Sequence, residues 1–364
     1  MRFRTPSLSD FPWDTIADDI ALAEAHPGGA CDLSVGTPVD PVPEIARQAL
    51  AEASNAHGYP TVWGTPELRA AVVAYMETRW GAPAMGDRNV MPIIGAKELV
   101  GWLPTLLGVG PGDTVVIPEV AYPTYAVGAA MVGARVVTAS SPEAVAAESP
   151  VLVWTNSPSN PSGAVDSLER VRSWVEYARG KGALLAADEC YGEFGWETEP
   201  VSVLDARVNG GSPEGILGVY SMSKRSNLAG YRAGFVAGDD GIVMGLVGIR
   251  KHLGMMVPTP MQAAMTVLLG DRSHVDAQRA RYAARRTTLS AALRDAGFAI
   301  DSSEAGLYLW ATRGENGRAT SHWLAERGII VAPGDFYGEA GADHVRIALT
   351  ATDERIEAAC SRLS

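Results

Sequence analysis

Lys224 stands where an apolar run, Ile216-Leu217-Gly218-Val219-Tyr220, gives way to Ser221-Met222-Ser223-Lys224 and then to Asn227-Leu228-Ala229-Gly230-Tyr231-Arg232-Ala233-Gly234. The run has the length and make-up of a short buried strand, which puts both serines and the lysine at its end, beside the core. An amine held there loses solvation, its pKa falls, and it becomes nucleophilic enough to form a Schiff base with an aldehyde. The hydroxyls of Ser221 and Ser223 and the guanidinium of Arg232 supply the donors and positive charge that a phosphate dianion requires. A reactive lysine beside a phosphate site points to pyridoxal 5'-phosphate. The plain alternative is a solvated loop lysine among turn residues.

A second group of residues suits the same ligand. Leu184-Leu185-Ala186-Ala187 runs as a strand into Asp188-Glu189-Cys190-Tyr191. A carboxylate at the end of a buried strand is costly unless paired. A protonated pyridine nitrogen would pair with Asp188, and Tyr191, three residues on, would hydrogen-bond the phenolic oxygen of the same ring. Lys224 follows Asp188 by 36 positions and Arg232 follows Lys224 by eight. Six histidines without metal-ligand spacing suggest no metal site.

The elements that must hold these groups follow in order. Phe11 to His26 reads as an amphipathic helix, Leu33 to Val35 as a short strand running into the turn Gly36-Thr37-Pro38, and Pro43 to Ala53 as a helix. Val90 to Ile94 reads as a strand, after which Gly95-Ala96-Lys97 opens a helix through Leu107. Free N–H groups and the positive dipole end at Ala96 and Lys97 suit phosphate. Gly108-Val109-Gly110-Pro111-Gly112 follows a helix and opens the strand Thr114 to Ile117, the reverse of a dinucleotide loop, and so reads as a turn. Tyr122 and Tyr125 lie past the carboxyl end of that strand, where open α/β sheets bind ligands.

Val151 to Thr155 is a buried strand ending in Asn156-Ser157-Pro158-Ser159-Asn160-Pro161-Ser162-Gly163. Past Phe235 to Gly238 come a helix over 241–256, an interruption at Val257-Pro258-Thr259-Pro260, and one long helix to about Leu293. Strands at 298–300, 307–311, 329–332 and 344–348, a helix at 320–327 and a final helix complete the chain. Strand alternation sets Arg346 opposite Val345 and Ile347, on a face that would be exposed if the strand were an ordinary edge.

The chain has 364 residues, more than one compact core usually holds, with 47% hydrophobic and 20% charged residues. A formal charge of −12 argues against nucleic acid or an anionic membrane as partner, so an anionic substrate needs a local basic pocket. Cys31, Cys190 and Cys360 are scattered and suggest neither disulfides nor zinc. Residues 1–10 lack a signal-peptide core and no stretch reaches the length of a membrane span, so the expected location is the cytoplasm.

The whole segment Ser221 to Gly234 resembles the lysine-attachment signature of class I/II aminotransferases, and the resemblance extends from Leu33 to Leu349. It implies an α/β fold, that of type I pyridoxal-phosphate transferases. The large domain would have a mostly parallel seven-stranded sheet flanked by helices, and the smaller domain would be α+β. The implied division is an arm and part of the small domain over 1–36, a cofactor-binding domain over 37–265, and an interdomain helix with the small domain over 266–364.

By the same resemblance Gly36 lies over the substrate carboxylate, Tyr122 stacks on the pyridine ring, and Asn160 donates to the cofactor's phenolic oxygen. Ala96 and Lys97 fall on the phosphate-cup turn. Arg346, after Pro333-Gly334-Asp335-Phe336-Tyr337, grips the substrate α-carboxylate, a planar anion suited to a bidentate guanidinium. Tyr59, in a Tyr-Pro-x-x-x-Gly-x-x-x-Leu-Arg segment, reaches the phosphate in the other subunit of a homodimer. Lys224 and Asp188 carry the catalytic chemistry of transamination, with Tyr191 beside them.

Three runs, Leu33 to Val42, Ala186 to Tyr191 and Glu304 to Thr312, resemble those of N-succinyldiaminopimelate aminotransferases of the lysine and diaminopimelate pathway. That implies glutamate as amino donor to N-succinyl-2-amino-6-oxopimelate. Arg250, Lys251 and Arg313 are open as counter-charges for the far carboxylates. The alternatives are another reaction of the same fold, such as C–S β-elimination, and a cofactor-binding regulatory protein without turnover.

Overall fold

The computed structural model describes residues 8, 10–82 and 85–363. Residues 1–7 and 9 of the stretch read as lacking a leader therefore lie outside the described residues. After a 3₁₀ turn (Pro12–Ile16) and a helix (Ala17–Glu24) comes β1 (Cys31–Asp32). Seven strands follow, namely β2 (Val90–Ile93), β3 (Thr114–Pro118), β4 (Arg135–Ala139), β5 (Leu152–Asn156), β6 (Leu184–Asp188), β7 (Ile216–Ser221) and β8 (Gly234–Gly238). They form one sheet in the order β2-β8-β7-β6-β5-β3-β4. All pair in parallel except β8, which runs antiparallel to both β2 and β7. The mostly parallel seven-stranded sheet that the family resemblance implies is therefore present.

Alternate residues of each central strand enter opposite cores. In β6, Leu185 and Ala187 pack with Trp174, Val175 and Met265 on one face, while Leu184 and Ala186 pack with Leu103, Tyr125 and Leu246 on the other. Burial on both faces explains why these strands read as continuous apolar runs. The covering helices carry local start and stop signals. Pro66–Trp80 starts at Thr65, whose hydroxyl accepts from the Leu68 amide, and stops at Gly81 in the left-handed region; Leu168–Lys181 uses Ser167 and Gly182 in the same way.

The C-terminal third builds β9 (Ala299–Asp301), β10 (Tyr308–Thr312), β11 (Ile329–Ile330), β12 (Ala332–Pro333) and β13 (Val345–Ala348). Four of these make an antiparallel sheet in the order β12-β13-β10-β9, and β11 pairs in parallel with β1. A further core joins Cys31 and Leu33 to Tyr282, Leu289, Leu307 and Ile347.

Several elements differ from the sequence reading. The strand placed at Leu33 to Val35 is β1 at Cys31–Asp32, because Asp32 Oδ1 accepts from the backbone and hydroxyl of Ser34 at 2.9 and 2.7 Å and turns the chain. The strand placed at 329–332 is two, since the chain leaves β1 for β13 at Val331. The long helix to Leu293 is two helices, Thr259–Gly270 and Ser273–Asp295. Gly270 ends the first; Asp271 is extended and its carboxylate accepts from the His274 amide at 3.0 Å and from Ser273 Oγ at 2.8 Å. β4 and the helices Thr124–Met131 and Leu168–Lys181 have no counterpart in that reading.

Candidate active site

Parallel strands bring their carboxyl ends to one edge of the sheet, and the candidate residues sit there in sheet order. Ala96 follows β2, Arg232 precedes β8, Ser221 ends β7 with Ser223 and Lys224 just after it, Asp188 ends β6, Asn160 follows β5 and Tyr122 follows β3. Together with Gly36, Lys97, Tyr191 and Arg346 they line a cavity of about 830 Å³. Tyr59 does not. It lies fully exposed on the surface of the chain.

Lys224 occupies the single helical turn Met222–Arg225, capped by Ser221, whose hydroxyl accepts from the Ser223 amide at 3.1 Å. Its Nζ donates to the Gly36 carbonyl, and burial holds its pKa below the usual lysine value. The next residue fixes the turn from behind. Arg225 is buried and its Nε meets Glu193 Oε1 at 3.2 Å, while Glu193 also receives Tyr75 at 2.8 Å, Arg79 at 3.0 Å and Arg272 at 2.6 Å. Asn227, in the left-handed region, donates to Gln278 Oε1 at 2.9 Å, and Gln278 and Arg285 both donate to Asp40. The lysine loop and the turn bearing Gly36 thus share one polar frame.

Asp188 is 7% exposed. Its Oδ2 accepts from the Tyr125 hydroxyl at 2.8 Å and its Oδ1 from the Cys190 amide at 3.1 Å. Burial raises its pKa, and no cation pairs with it among the described residues. It is a fixed carboxylate with room for a cationic partner in the cavity. Trp154 stacks under Tyr125 at 5.0 Å, and Tyr122 meets Tyr125 edge to face at 5.9 Å.

Arg346 is its opposite number. Although it lies on β13 between Val345 and Ile347, it is 3% exposed, because its face of the small sheet looks into the cavity and not into solvent. Nη1 donates to Asn160 Oδ1 at 2.8 Å, Nη2 donates to the Ser34 carbonyl, and Nε has no partner among the described residues. Its guanidinium lies 4.0 Å from the ring centroid of Tyr308. No carboxylate pairs with it among the described residues, so a buried cation faces the cavity without a protein counter-ion.

At the other end, Gly95 caps the helix Ala96–Leu106 with φ 96°, and a Cβ there would overlap the Arg232 guanidinium. Arg232 takes the left-handed conformation and donates to the Ala229 carbonyl at 2.7 Å, with no acidic partner among the described residues. Lys97 is exposed at the mouth, its Nζ 5.8 Å from the Phe11 ring centroid and 6.0 Å from that of Tyr122. The arrangement has an anion end (Ser221, Ser223, Arg232, the Ala96 helix start), a carboxylate at its base, an amine at its centre and a second anion site at Arg346. A pyridine aldehyde phosphate fits it group by group.

Sequence reasoning missed Tyr308 at this site and, although it set Tyr125 at the ligand end of its strand, missed the bond from Tyr125 to Asp188. Tyr308 touches Tyr191, Arg346 and Gly36, yet in the sequence it is one aromatic in a strand. The distal candidates fare differently. Arg250 is fully buried in a two-pronged pair with Glu98, Arg313 pairs with Glu315 over the Trp323 ring, and neither these nor Lys251 lines the cavity.

A model of the family "Aminotransferase class I and II" matches residues 29–363. The chain is 58% identical to a probable aminotransferase of Mycobacterium tuberculosis over 98% of its own length and 86% of the relative's. It is 52% identical to the 4-dedimethylamino-4-oxo-anhydrotetracycline transaminase of Streptomyces rimosus, covering 98% of this chain and 99% of that one. Among solved structures, a probable N-succinyldiaminopimelate aminotransferase of Thermus thermophilus superposes with a TM-score of 0.87 at 27% identity, over 97% of this chain and 99% of the other.

Proposed function

The chain belongs to the class I and II aminotransferase family, whose cofactor is pyridoxal 5'-phosphate, and we propose that it transfers the amino group of glutamate to N-succinyl-2-amino-6-oxopimelate. The observation that carries amino-acid chemistry is Arg346, a buried guanidinium that pairs with no carboxylate among the described residues, facing the same cavity as Lys224. The cofactor, when bound, supplies an electron-withdrawing ring that makes the substrate's Cα–H acidic.

In this reading each side chain does one thing. Ser221, Ser223, Arg232 and the backbone at Ala96 and Lys97 bind the phosphate. Asp188, oriented by Tyr125 and the Cys190 amide, holds a proton on the pyridine nitrogen. Asn160 spends its carbonyl on Arg346, which leaves its amide N–H groups to donate to the ring oxygen beside Tyr191. Tyr122, which lines the cavity, would stack on the ring. Arg346 and the Gly36 turn hold the substrate α-carboxylate, and Lys224 Nζ, its pKa lowered by burial, takes the proton from Cα. Tyr59, fully exposed, would extend to the phosphate of a second copy in a homodimer.

The acceptor rests on the resembling sequence runs and on the likeness to the Thermus enzyme. A second reading, an uncharged bulky ketone, is favoured by the apolar lining of Phe11, Trp13, Val35, Val100 and Val127 and by the likeness to the 4-dedimethylamino-4-oxo-anhydrotetracycline transaminase. The test is a pair of half-reactions. Glutamate should convert the absorbance of the cofactor-loaded protein, and N-succinyl-2-amino-6-oxopimelate should restore it faster than aromatic or polycyclic ketones do. Faster restoration by a polycyclic ketone favours the second reading, and pyruvate with ammonia released from a cysteine conjugate, without any acceptor, overturns both. Borohydride reduction and peptide mapping should label Lys224.

A further inference from the structure

Tyr308 stands on β10 at the point where three site residues meet. Its hydroxyl is 2.9 Å from that of Tyr191, its ring face lies 4.0 Å under the Arg346 guanidinium, and a Cβ on Gly36 would overlap its oxygen. Tyr308 is 3% and Tyr191 7% exposed, and the two rings meet edge to face at 5.5 Å. Both line the cavity.

The protons of this pair can be counted. Two hydroxyls share one hydrogen bond, and neither has another hydrogen-bond partner among the described residues. One hydroxyl proton is therefore left to point into the cavity. If Tyr191 spends its proton on Tyr308, it faces a ligand oxygen only as an acceptor, and two oxygens with lone pairs would oppose each other. If Tyr308 donates to Tyr191, the Tyr191 proton is free for the ligand, and the donated bond polarises it into a stronger donor.

We propose that Tyr308 is a positioning residue that donates its hydroxyl proton to Tyr191 and thereby fixes Tyr191 as a donor to the cofactor's ring oxygen, while its ring holds Arg346 flat for the substrate carboxylate. This rests on the reading of Lys224 and Tyr191 given above. The two halves of the role separate chemically: the oxygen serves the cofactor, and the ring face serves the arginine.

A donor on the ring oxygen favours its deprotonated form, so weakening that donor moves the cofactor's titration upward. The experiment follows the absorbance of the lysine-bound cofactor against pH in the loaded wild type, Tyr308→Phe, Tyr191→Phe and the double variant, with KM for glutamate measured alongside. Tyr308→Phe should raise the transition by about half a pH unit, with KM within about twofold of wild type because the ring remains. Tyr191→Phe should raise it further, and adding Tyr308→Phe to that protein should change nothing more. Tyr308→Ala should raise KM about tenfold, since the guanidinium loses its platform. An unmoved transition in Tyr308→Phe, or an equal shift with and without Tyr191, overturns the proposal. Loss of labelling at Lys224 in the wild type overturns the reading beneath it as well, and is told apart by the absence of any titrating chromophore.

Discussion

Asp188 ends a buried strand with a hydroxyl and an amide donor on its oxygens and no cation beside it among the described residues. On the proposed reading, removing it would leave the packing of β6 intact and take away the carboxylate that would keep a bound pyridine nitrogen protonated. Asp188→Ala should therefore keep its circular dichroism spectrum and melting temperature while turnover falls by at least about 100-fold. Near-normal turnover would sink the pairing. The residues whose chemistry depends on local order were readable from the chain: Lys224 and Arg232 share one short motif, and Asp188 and Tyr191 another. The partners of Tyr125 and Tyr308 were not, although the position of Tyr125 past a strand end was, because each acts across a long separation, 63 residues to Asp188 and 117 to Tyr191. Nothing in their neighbours marks the partner.

At the scale of elements, the parallel strands decide which loops meet, so, while Gly36, Asn160 and Arg346 were placed by the family resemblance, the apolar runs marked the strand ends at Ala96, Asp188 and Lys224. What they did not reveal were events set by a single polar side chain or by a change of partner. Asp271 breaks a helix that composition would continue, and Val331 lets one apolar stretch serve two sheets. The turn at Gly36 is the tightest of the positioning elements. Its carbonyl takes the Lys224 amine, and its Cα faces the Tyr308 ring so closely that a methyl group has no space. Gly36→Ala should fold, since φ at this position is not one that excludes a side chain, yet displace Tyr308 and lower kcat/KM by about 100-fold. Steady-state kinetics beside a thermal melt would separate the two effects.

Two buried glutamates give the whole molecule opposite responses to pH. Burial raises the Glu189 pKa to about 7, against the pull of its bonds from the Val203 amide and the Tyr220 hydroxyl. Its folded value exceeds its unfolded one, so its contribution is fully present below about pH 4.5 and is lost as pH rises through 7. Glu193 is also buried, but Arg225, Arg79 and Arg272 outweigh that and hold it at about 2. Its contribution is present above about pH 4.5 and is lost as pH falls through 2. Urea unfolding should show stability declining between pH 5 and 7 in the wild type, and a flatter profile in Glu189→Gln; an unchanged slope would remove Glu189 as the cause. The molecule as a whole carries a charge of −12, while Arg346 and Arg232, which line the cavity, pair with no carboxylate among the described residues. A multiply anionic reactant therefore climbs a repulsive exterior field before it meets an attractive one. Moderate ionic strength, by flattening the outer barrier within a screening length of about 10 Å, should speed its capture, whereas the proposed donor glutamate, with a single net negative charge, should show a smaller dependence on salt.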